Sequence, residues 1–134
     1  MRRVVVSGLG IVSSIGITID EVLKSLKKGI SGISFSEEYA EKGFRSCVHG
    51  NPNIDLQEHV DRRQLRFMGE GAAYNFVAMK QAIDDSGLTD SEVSNELTGI
   101  IMGSGGPSTK NMFQAHQVVL EKLNPKKMGP YMVT

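Results

Sequence analysis

A run of three valines near the amino terminus, followed at once by glycines, constrains the fold more than any other part of this chain. The run occupies residues 4–6 and leads into Ser7-Gly8-Leu9-Gly10. Consecutive β-branched residues without polar alternation are typical of a strand covered on both faces, as in the middle of an α/β sheet. Glycine lets another backbone approach closely, because it has no Cβ. The pattern therefore predicts a first, central strand in a layered fold.

The overall composition is that of one soluble globular domain. The chain has 134 residues, of which 40% are hydrophobic and 22% charged, enough for a single core. No apolar run approaches the roughly 20 residues of a membrane span, and no signal peptide is recognisable. We therefore expect a cytoplasmic protein without a membrane partner. The apolar stretch from Gly129 to Thr134 is unlike a solvated natural terminus, so we expect an N-terminal piece of something larger.

Charge and aromatic content argue against nucleic-acid binding. Fifteen basic residues balance 15 acidic ones, and the chain has no tryptophan. A function based on electrostatics must therefore come from local clusters of charge. The sequence gives no reason to expect a cofactor.

Helix signals are clear at several places. Thr18 followed by Glu21 is a capping box, and Gly29 is a natural helix end. Lysines near that end complement the helix dipole. The further elements predicted in chain order are an edge strand at 46–49, a helix at 71–85, a capped turn of helix after Thr89, a brief strand at 98–102 and a helix at 109–123. Their order, β-α-(β)-α-β-α, indicates an α/β layered domain.

Two glycine-rich loops invite a nucleotide or phosphate interpretation. In the first, a dinucleotide fingerprint would need a third glycine where Ser13 stands, so a structural turn is favoured. The second loop, residues 103–109, precedes a helix whose amino terminus could hold an anion. It lacks a P-loop lysine, because Lys110 follows Thr109. A close-packed turn is favoured there over phosphate binding.

Cysteine and histidine provide no convincing catalytic or metal centre. Cys47 is the single cysteine, which excludes an internal disulfide framework. A nucleophilic cysteine needs a helix amino terminus or a paired base, and only His49 lies nearby. The three histidines, His49, His59 and His116, lack metal-ligand spacing. A packed or surface thiol and ordinary histidines are the favoured interpretation.

Two basic clusters stand out from the balanced background. The first is Arg62, Arg63 and Arg66, and the second is Lys126 and Lys127. Each is either a solvated face or a dock for an acidic partner, which local charge would steer over about 8 Å at cellular salt. Spacing alone leaves both interpretations open.

The order of these motifs resembles a known family. The chain is similar to the N-terminal third of β-ketoacyl-acyl-carrier-protein synthases, most closely the bacterial type I enzyme of fatty acid elongation. The matching motifs are VVVSGLGIVSSIG at 4–16, FRS at 44–46, DRR at 61–63, RFM at 66–68 and GSGG at 103–106. The resemblance implies a thiolase-like layered α-β-α-β-α fold, of which residues 1–134 are the incomplete N-terminal part of the first half. It also implies a homodimer that performs decarboxylative Claisen condensation.

The resemblance assigns no catalytic residue to this chain. The family's nucleophilic cysteine and its two catalytic histidines come after the segment that matches, and neither Cys47 nor any histidine here matches them. We therefore expect no condensing activity from these residues alone. The alternatives are a non-catalytic thiolase-like module for dimerisation or carrier-protein binding, and an unrelated nucleotide-binding domain.

Three groups of residues acquire expected roles from the resemblance. Gly103, Ser104, Gly105 and Gly106 match a loop bordering the acyl pocket near the dimer interface, and Val133 and Thr134 match a segment that reaches toward the partner subunit's acyl pocket. The basic positions that receive the acidic acyl carrier protein are Arg62, Arg63 and Arg66, with Lys126 from the other subunit and the adjoining Lys127. At these positions the charge argument and the resemblance agree.

Overall fold

The structure, a computed structural model, describes residues 3–129. The elements in chain order are α1 (Ile19–Lys28), β1 (Ile33–Phe35), α2 (Glu37–Glu41), β2 (Val48–Gly50), α3 (Leu56–His59), α4 (Arg62–Leu65), α5 (Glu70–Ser86), α6 (Asp90–Val93), α7 (Thr109–Lys122) and a 3-10 helix (Pro125–Met128). The chain divides into two compact units. Among the described residues, the first unit contains 3–54 and Val77–Val93, and the second contains Asp55–Phe76 and 94–129.

Local signals in the sequence correctly place α1, α5, α6 and α7, whereas the short helices α2, α3 and α4 were not predicted. Helix α1 begins after Thr18, whose hydroxyl accepts a hydrogen bond from the Glu21 amide at 3.3 Å. It ends at Gly29, which adopts the left-handed conformation with φ of 63°. The Glu21 carboxylate accepts from the Ile17 amide at 2.8 Å. In a standard capping box this carboxylate would accept from the amide of the N-cap residue, Thr18. Here it accepts instead from the amide of the preceding residue, Ile17.

The predicted central strand at residues 4–6 is wrong for the described structure. Val4, Val5 and Val6 are 93%, 80% and 78% exposed and belong to no strand. A strand needs a hydrogen-bonded neighbour, and a buried strand also needs cover on both faces. No described segment supplies either to these valines.

The predicted strand at 98–102 is also wrong, for the same reason. Its apolar residues lie outside any strand, and Ile100 and Ile101 are 69% and 98% exposed. Both segments have the composition of buried strands, but the described part of the chain contains nothing that pairs with them.

The strand predicted near residue 47 does form, slightly later than expected. Strands β1 and β2 make a two-stranded antiparallel sheet in which Ile33 pairs with Gly50 and Phe35 with Val48. The Tyr39 ring, on α2, lies against the His49 ring at a centroid distance of 5.5 Å. This small sheet is peripheral in character, because both faces of β1 are exposed.

In the first unit, residues 7–17, which we call the glycine-rich segment, pack directly on helix α5. A Cβ placed on Gly8 would lie 2.0 Å from the Ala82 carbonyl oxygen, and one on Gly10 would lie 1.8 Å from that of Ala78. Only glycine fits at such distances. The close backbone approach predicted from these glycines is therefore confirmed.

Two polar side chains of α5 fasten the same segment. The Leu9 amide donates to Asp85 Oδ2 at 2.9 Å. The Gln81 side chain accepts from the Ile11 amide at 3.0 Å and donates to the Ile17 carbonyl at 2.8 Å. These bonds satisfy backbone groups that a sheet would otherwise pair.

The second unit has a small apolar core. Val60 and Ala73 are 3% and 1% exposed. A Cβ on Gly69 would lie 2.9 Å from Ser108 Cβ, so the amino-terminal ends of α5 and α7 approach closely. Ser108 caps α7 by accepting from the Asn111 amide at 3.3 Å. Of the described helices, none has the length and apolar character needed to span a bilayer.

Candidate functional site

The three arginines predicted to dock a partner lie on and beside helix α4. Asp61 caps this helix, and its Oδ1 accepts from the Arg63 amide at 2.7 Å. Arg62 and Arg66 are four residues apart, so they project from one side of the turn, and all three arginines are exposed. The buried Val60, just before the cap, anchors the start of the turn. The local sequence thus holds three cations on one solvent-facing turn.

These arginines remain available for an external anion. The two ion pairs found among residues 3–129 join Lys42 to Glu38 and Lys110 to Glu70. Neither pair involves an arginine. Exposed cations without an ion-pair partner create a positive local potential that attracts acidic surfaces.

Lys126 and Lys127 lie on the short 3-10 helix that follows α7. Asn124 caps it by accepting from the Lys126 amide at 3.0 Å, and Pro125 occupies its first position. Both lysines are exposed. The second basic cluster is therefore also presented to solvent on a capped turn of the second unit.

The loop at residues 103–106 is open, so the predicted close-packed turn is wrong. A Cβ on Gly103, Gly105 or Gly106 would meet no atom within 4 Å. One hydrogen bond within the loop stabilises the turn: the Ser104 hydroxyl donates to the Gly106 carbonyl oxygen at 2.7 Å. Because no described segment packs on this loop, its glycines are not required by contacts within the described structure.

This loop forms part of the wall of a cavity of about 720 Å³ within the second unit. The other walls come from the first turns of α5 and α7, including Tyr74 and Asn75. Two methionines, Met102 and Met112, add apolar surface. The described lining contains neither histidine nor cysteine. The cavity can therefore enclose part of a ligand, but it lacks a recognisable nucleophile and base pair.

An ion pair at this cavity weighs against phosphate binding. Lys110 Nζ donates to Glu70 Oε1 at 3.0 Å. The Glu70 carboxylate raises the pKa of Lys110 by accepting this hydrogen bond and by its charge. The lysine is thus already paired with a carboxylate of the same unit. The sequence did not reveal this pair, since its members are 40 residues apart.

The remaining predicted positions provide no reacting group. Cys47 is half-buried, and its Sγ lies 3.4 Å from the Phe44 carbonyl oxygen. It lies outside every helix, while His59 and His116 are exposed on α3 and α7. Val133 and Thr134 lie outside the described residues.

Packing on α5 also removes the dinucleotide alternative. The positions where a pyrophosphate would approach Gly8 and Gly10 are filled by the backbone of Ala78 and Ala82. Asp85 and Gln81, whose side chains bind the backbone of Leu9 and Ile11, were not identified from the sequence. These two polar residues are four positions apart and therefore lie on one face of α5, next to alanines. That pattern was the one signal in the sequence that could have indicated their role.

Comparisons with known proteins match the whole chain to one family. The profile described as "Beta-ketoacyl synthase, N-terminal domain" matches residues 1–134. The chain is 46% identical to 3-oxoacyl-[acyl-carrier-protein] synthase 1 of Haemophilus influenzae over 134 residues, covering 100% of this chain and 33% of that protein. It is 44% identical to the synthase of the same name from Escherichia coli strain K12 over 135 residues, with the same coverage of both chains.

A solved structure supports the same assignment. The ishigamide ketosynthase/chain length factor matches with a TM-score of 0.82 and 26% identity, over 98% of this chain and 33% of that one. The backbone therefore follows the thiolase-like fold even where residues 4–6 lack a neighbouring strand. The chain spans about a third of the length of its relatives. It belongs to the β-ketoacyl synthase family, whose N-terminal domain it matches from end to end.

Proposed function

We propose that this chain is the N-terminal part of a β-ketoacyl-acyl-carrier-protein synthase, an acyltransferase of fatty acid elongation. In the full-length enzyme it would serve decarboxylative condensation of carrier-bound acyl chains, while these residues alone would have no condensing activity. The match of the whole chain to the N-terminal domain of the family supports the first statement. The absence of histidine and cysteine from the described cavity lining supports the second.

We further propose that the chain's own contribution is the docking surface for an acidic acyl carrier protein. The surface consists of Arg62, Arg63 and Arg66 of one subunit, with Lys126 and the adjoining Lys127 contributed by the other subunit. The observation that carries this proposal is the exposed turn of α4, which presents its arginines free of the described ion pairs. Charge complementarity between these cations and an acidic partner raises the rate of association and makes binding sensitive to salt.

The open loop at 103–106 completes the proposal. Together with Val133 and Thr134 it would border the acyl pocket at the interface of a cytoplasmic homodimer. Its lack of internal packing supports this role, because a loop that is open in one chain is free to contact a ligand or a partner subunit.

The docking proposal is tested by reversing charge on α4. Arg62→Glu combined with Arg66→Glu replaces two cations on one side of the turn, and we expect at least a tenfold loss of affinity for acyl carrier protein at low salt. The measurement is calorimetric titration across a series of salt concentrations. We expect the slope of affinity against salt to flatten, since fewer charges take part.

A matched control makes the same change of charge elsewhere. Lys24→Glu with Lys80→Glu alters two exposed lysines of α1 and α5 in the first unit. Carrier-protein affinity should stay within twofold of the unmodified chain. Equal losses in both double variants would indicate that net charge, rather than the α4 surface, controls binding.

A further inference from the structure

Helix α1 in the first unit carries a group of lysines that the proposed function does not use. Lys24, Lys27 and Lys28 are exposed, and none of them belongs to either ion pair found among residues 3–129. Residues three and four positions apart lie on one side of a helix. Together with Asp20 and Leu23 the lysines line a shallow depression of about 310 Å³. We call these five residues the lysine face.

Contacts within the first unit fix the direction in which the lysine face points. Another side of α1 is held by Ser25, which is 8% exposed and whose hydroxyl donates to the Ile15 carbonyl oxygen at 2.7 Å. Because Ser25 faces the interior of the unit, the lysine face is turned to solvent. Lysine is almost never fully buried without a partner, so three clustered lysines would need several carboxylates to cover them. We therefore expect this face to stay exposed in a longer chain of the family as well.

The composition of the lysine face favours an anionic lipid surface over an acidic protein. Any attraction must come from local charge, because 15 basic residues balance 15 acidic ones in the whole chain. Leu23 lies among the lysines and is 45% exposed. At a bilayer surface, lysines place their apolar stems at the acyl boundary and their ammonium groups among the headgroups, and a leucine between them is buried. Charge pairing with an acidic protein would involve the lysines and leave the leucine without a role.

We propose that the lysine face of α1 binds the surface of a bilayer that contains anionic phospholipid. The expectation of no membrane partner concerned spanning segments and signal peptides, which a surface contact does not require. Each lysine near an anionic surface contributes about fivefold in affinity, so three lysines opposed by one aspartate predict at least a roughly tenfold preference over a neutral surface. This inference goes beyond the proposed function and does not depend on carrier-protein docking.

The test measures binding of the 134-residue chain to unilamellar vesicles by flotation. One set of vesicles is phosphatidylcholine, and the other is phosphatidylcholine mixed with an equal part of phosphatidylglycerol. We expect at least roughly tenfold tighter binding to the mixed vesicles. This preference should disappear in about 1 M salt, where charges are screened beyond about 3 Å. Equal binding to both sets, or no binding to either, would overturn the proposal.

Two double variants locate the contact. Lys24→Glu with Lys27→Glu should lower the affinity for mixed vesicles at least roughly tenfold. Arg62→Glu with Arg66→Glu makes the same change of charge in the second unit and should lower that affinity by less than about threefold. Equal losses would indicate a response to charge in general and would overturn the assignment to α1. The lysine variant should keep its affinity for acyl carrier protein, so failure of this inference and failure of the docking proposal are distinguishable.

Two single substitutions keep the test decisive if charge reversal disturbs folding. Asp20→Asn removes the acid that lines the depression, so we expect binding to mixed vesicles to rise about fivefold, an effect that loss of structure would not produce. Leu23→Ser should weaken binding about threefold without changing its salt dependence, because leucine contributes burial rather than charge. If Asp20→Asn leaves vesicle affinity unchanged while the lysine variant loses affinity for acyl carrier protein, the occupant is an acidic protein and the lipid proposal is wrong.

Discussion

Replacing Gly10 by alanine tests whether the glycine-rich segment owes its position to helix α5. The new methyl carbon would lie 1.8 Å from the Ala78 carbonyl oxygen and 2.8 Å from the Ala82 nitrogen. Both are backbone atoms of a helix and cannot rotate away. The segment must therefore move outward by more than 1 Å, roughly the shortfall from an ordinary contact of about 3.5 Å.

The expected cost can be estimated from this displacement. Overpacking costs about 1–3 kcal/mol, and a stretched Ile11–Gln81 hydrogen bond adds about 1 kcal/mol. The total of about 2–4 kcal/mol is a large part of the stability of an ordinary domain, about 5–15 kcal/mol. Because few apolar residues among 3–129 are buried, we expect Gly10→Ala to unfold the first unit at a lower urea concentration.

The assay is urea denaturation followed by circular dichroism at 222 nm, beside Gly71→Ala as a control. Gly71 lies in α5 and has no atom within 4 Å of its Cβ position. Alanine there should raise stability by about 0.5–1 kcal/mol through helix propensity. An unchanged urea midpoint for Gly10→Ala would refute the packing argument.

Two further predictions concern side chains that bind backbone. Gln81→Ala removes two hydrogen bonds to the glycine-rich segment and should cost about 2 kcal/mol in urea denaturation, whereas the exposed Gln117→Ala should change stability by less than about 0.5 kcal/mol. Hydrogen bonds from the backbone and hydroxyl of Thr89 lower the pKa of Glu92. A lowered carboxyl pKa stabilises the folded form above the unfolded pKa, and this contribution is lost as pH falls through the folded value. Amide protection of α6 should therefore decrease on acidification, and Glu92→Gln should abolish that pH dependence.

Short-range signals in the sequence determine the longer helices α1, α5 and α7 and the short α6. Thr18 and Gly29 bound α1 as predicted, and Thr89 starts the short α6. Such signals succeed because helix hydrogen bonds and caps join residues at most a few positions apart. The exposure of the arginine cluster on and beside α4 is also predictable from the local sequence. Arginine is rarely buried without a partner, and three arginines within five positions would need three such partners.

Tertiary structure alone decides which apolar runs become strands and which loops are packed. Val4–Val6 and Ile100–Met102 have the composition of buried strands, yet their pairing depends on segments far away in sequence. The same holds for Gly10, which is tight because of Ala78, and for Gly105, which is open. The sequence determined the helices, the charged turn and the family resemblance because their interactions are local or encoded in motifs. Strand pairing, loop packing and the Glu70–Lys110 pair depend on contacts that no local pattern specifies.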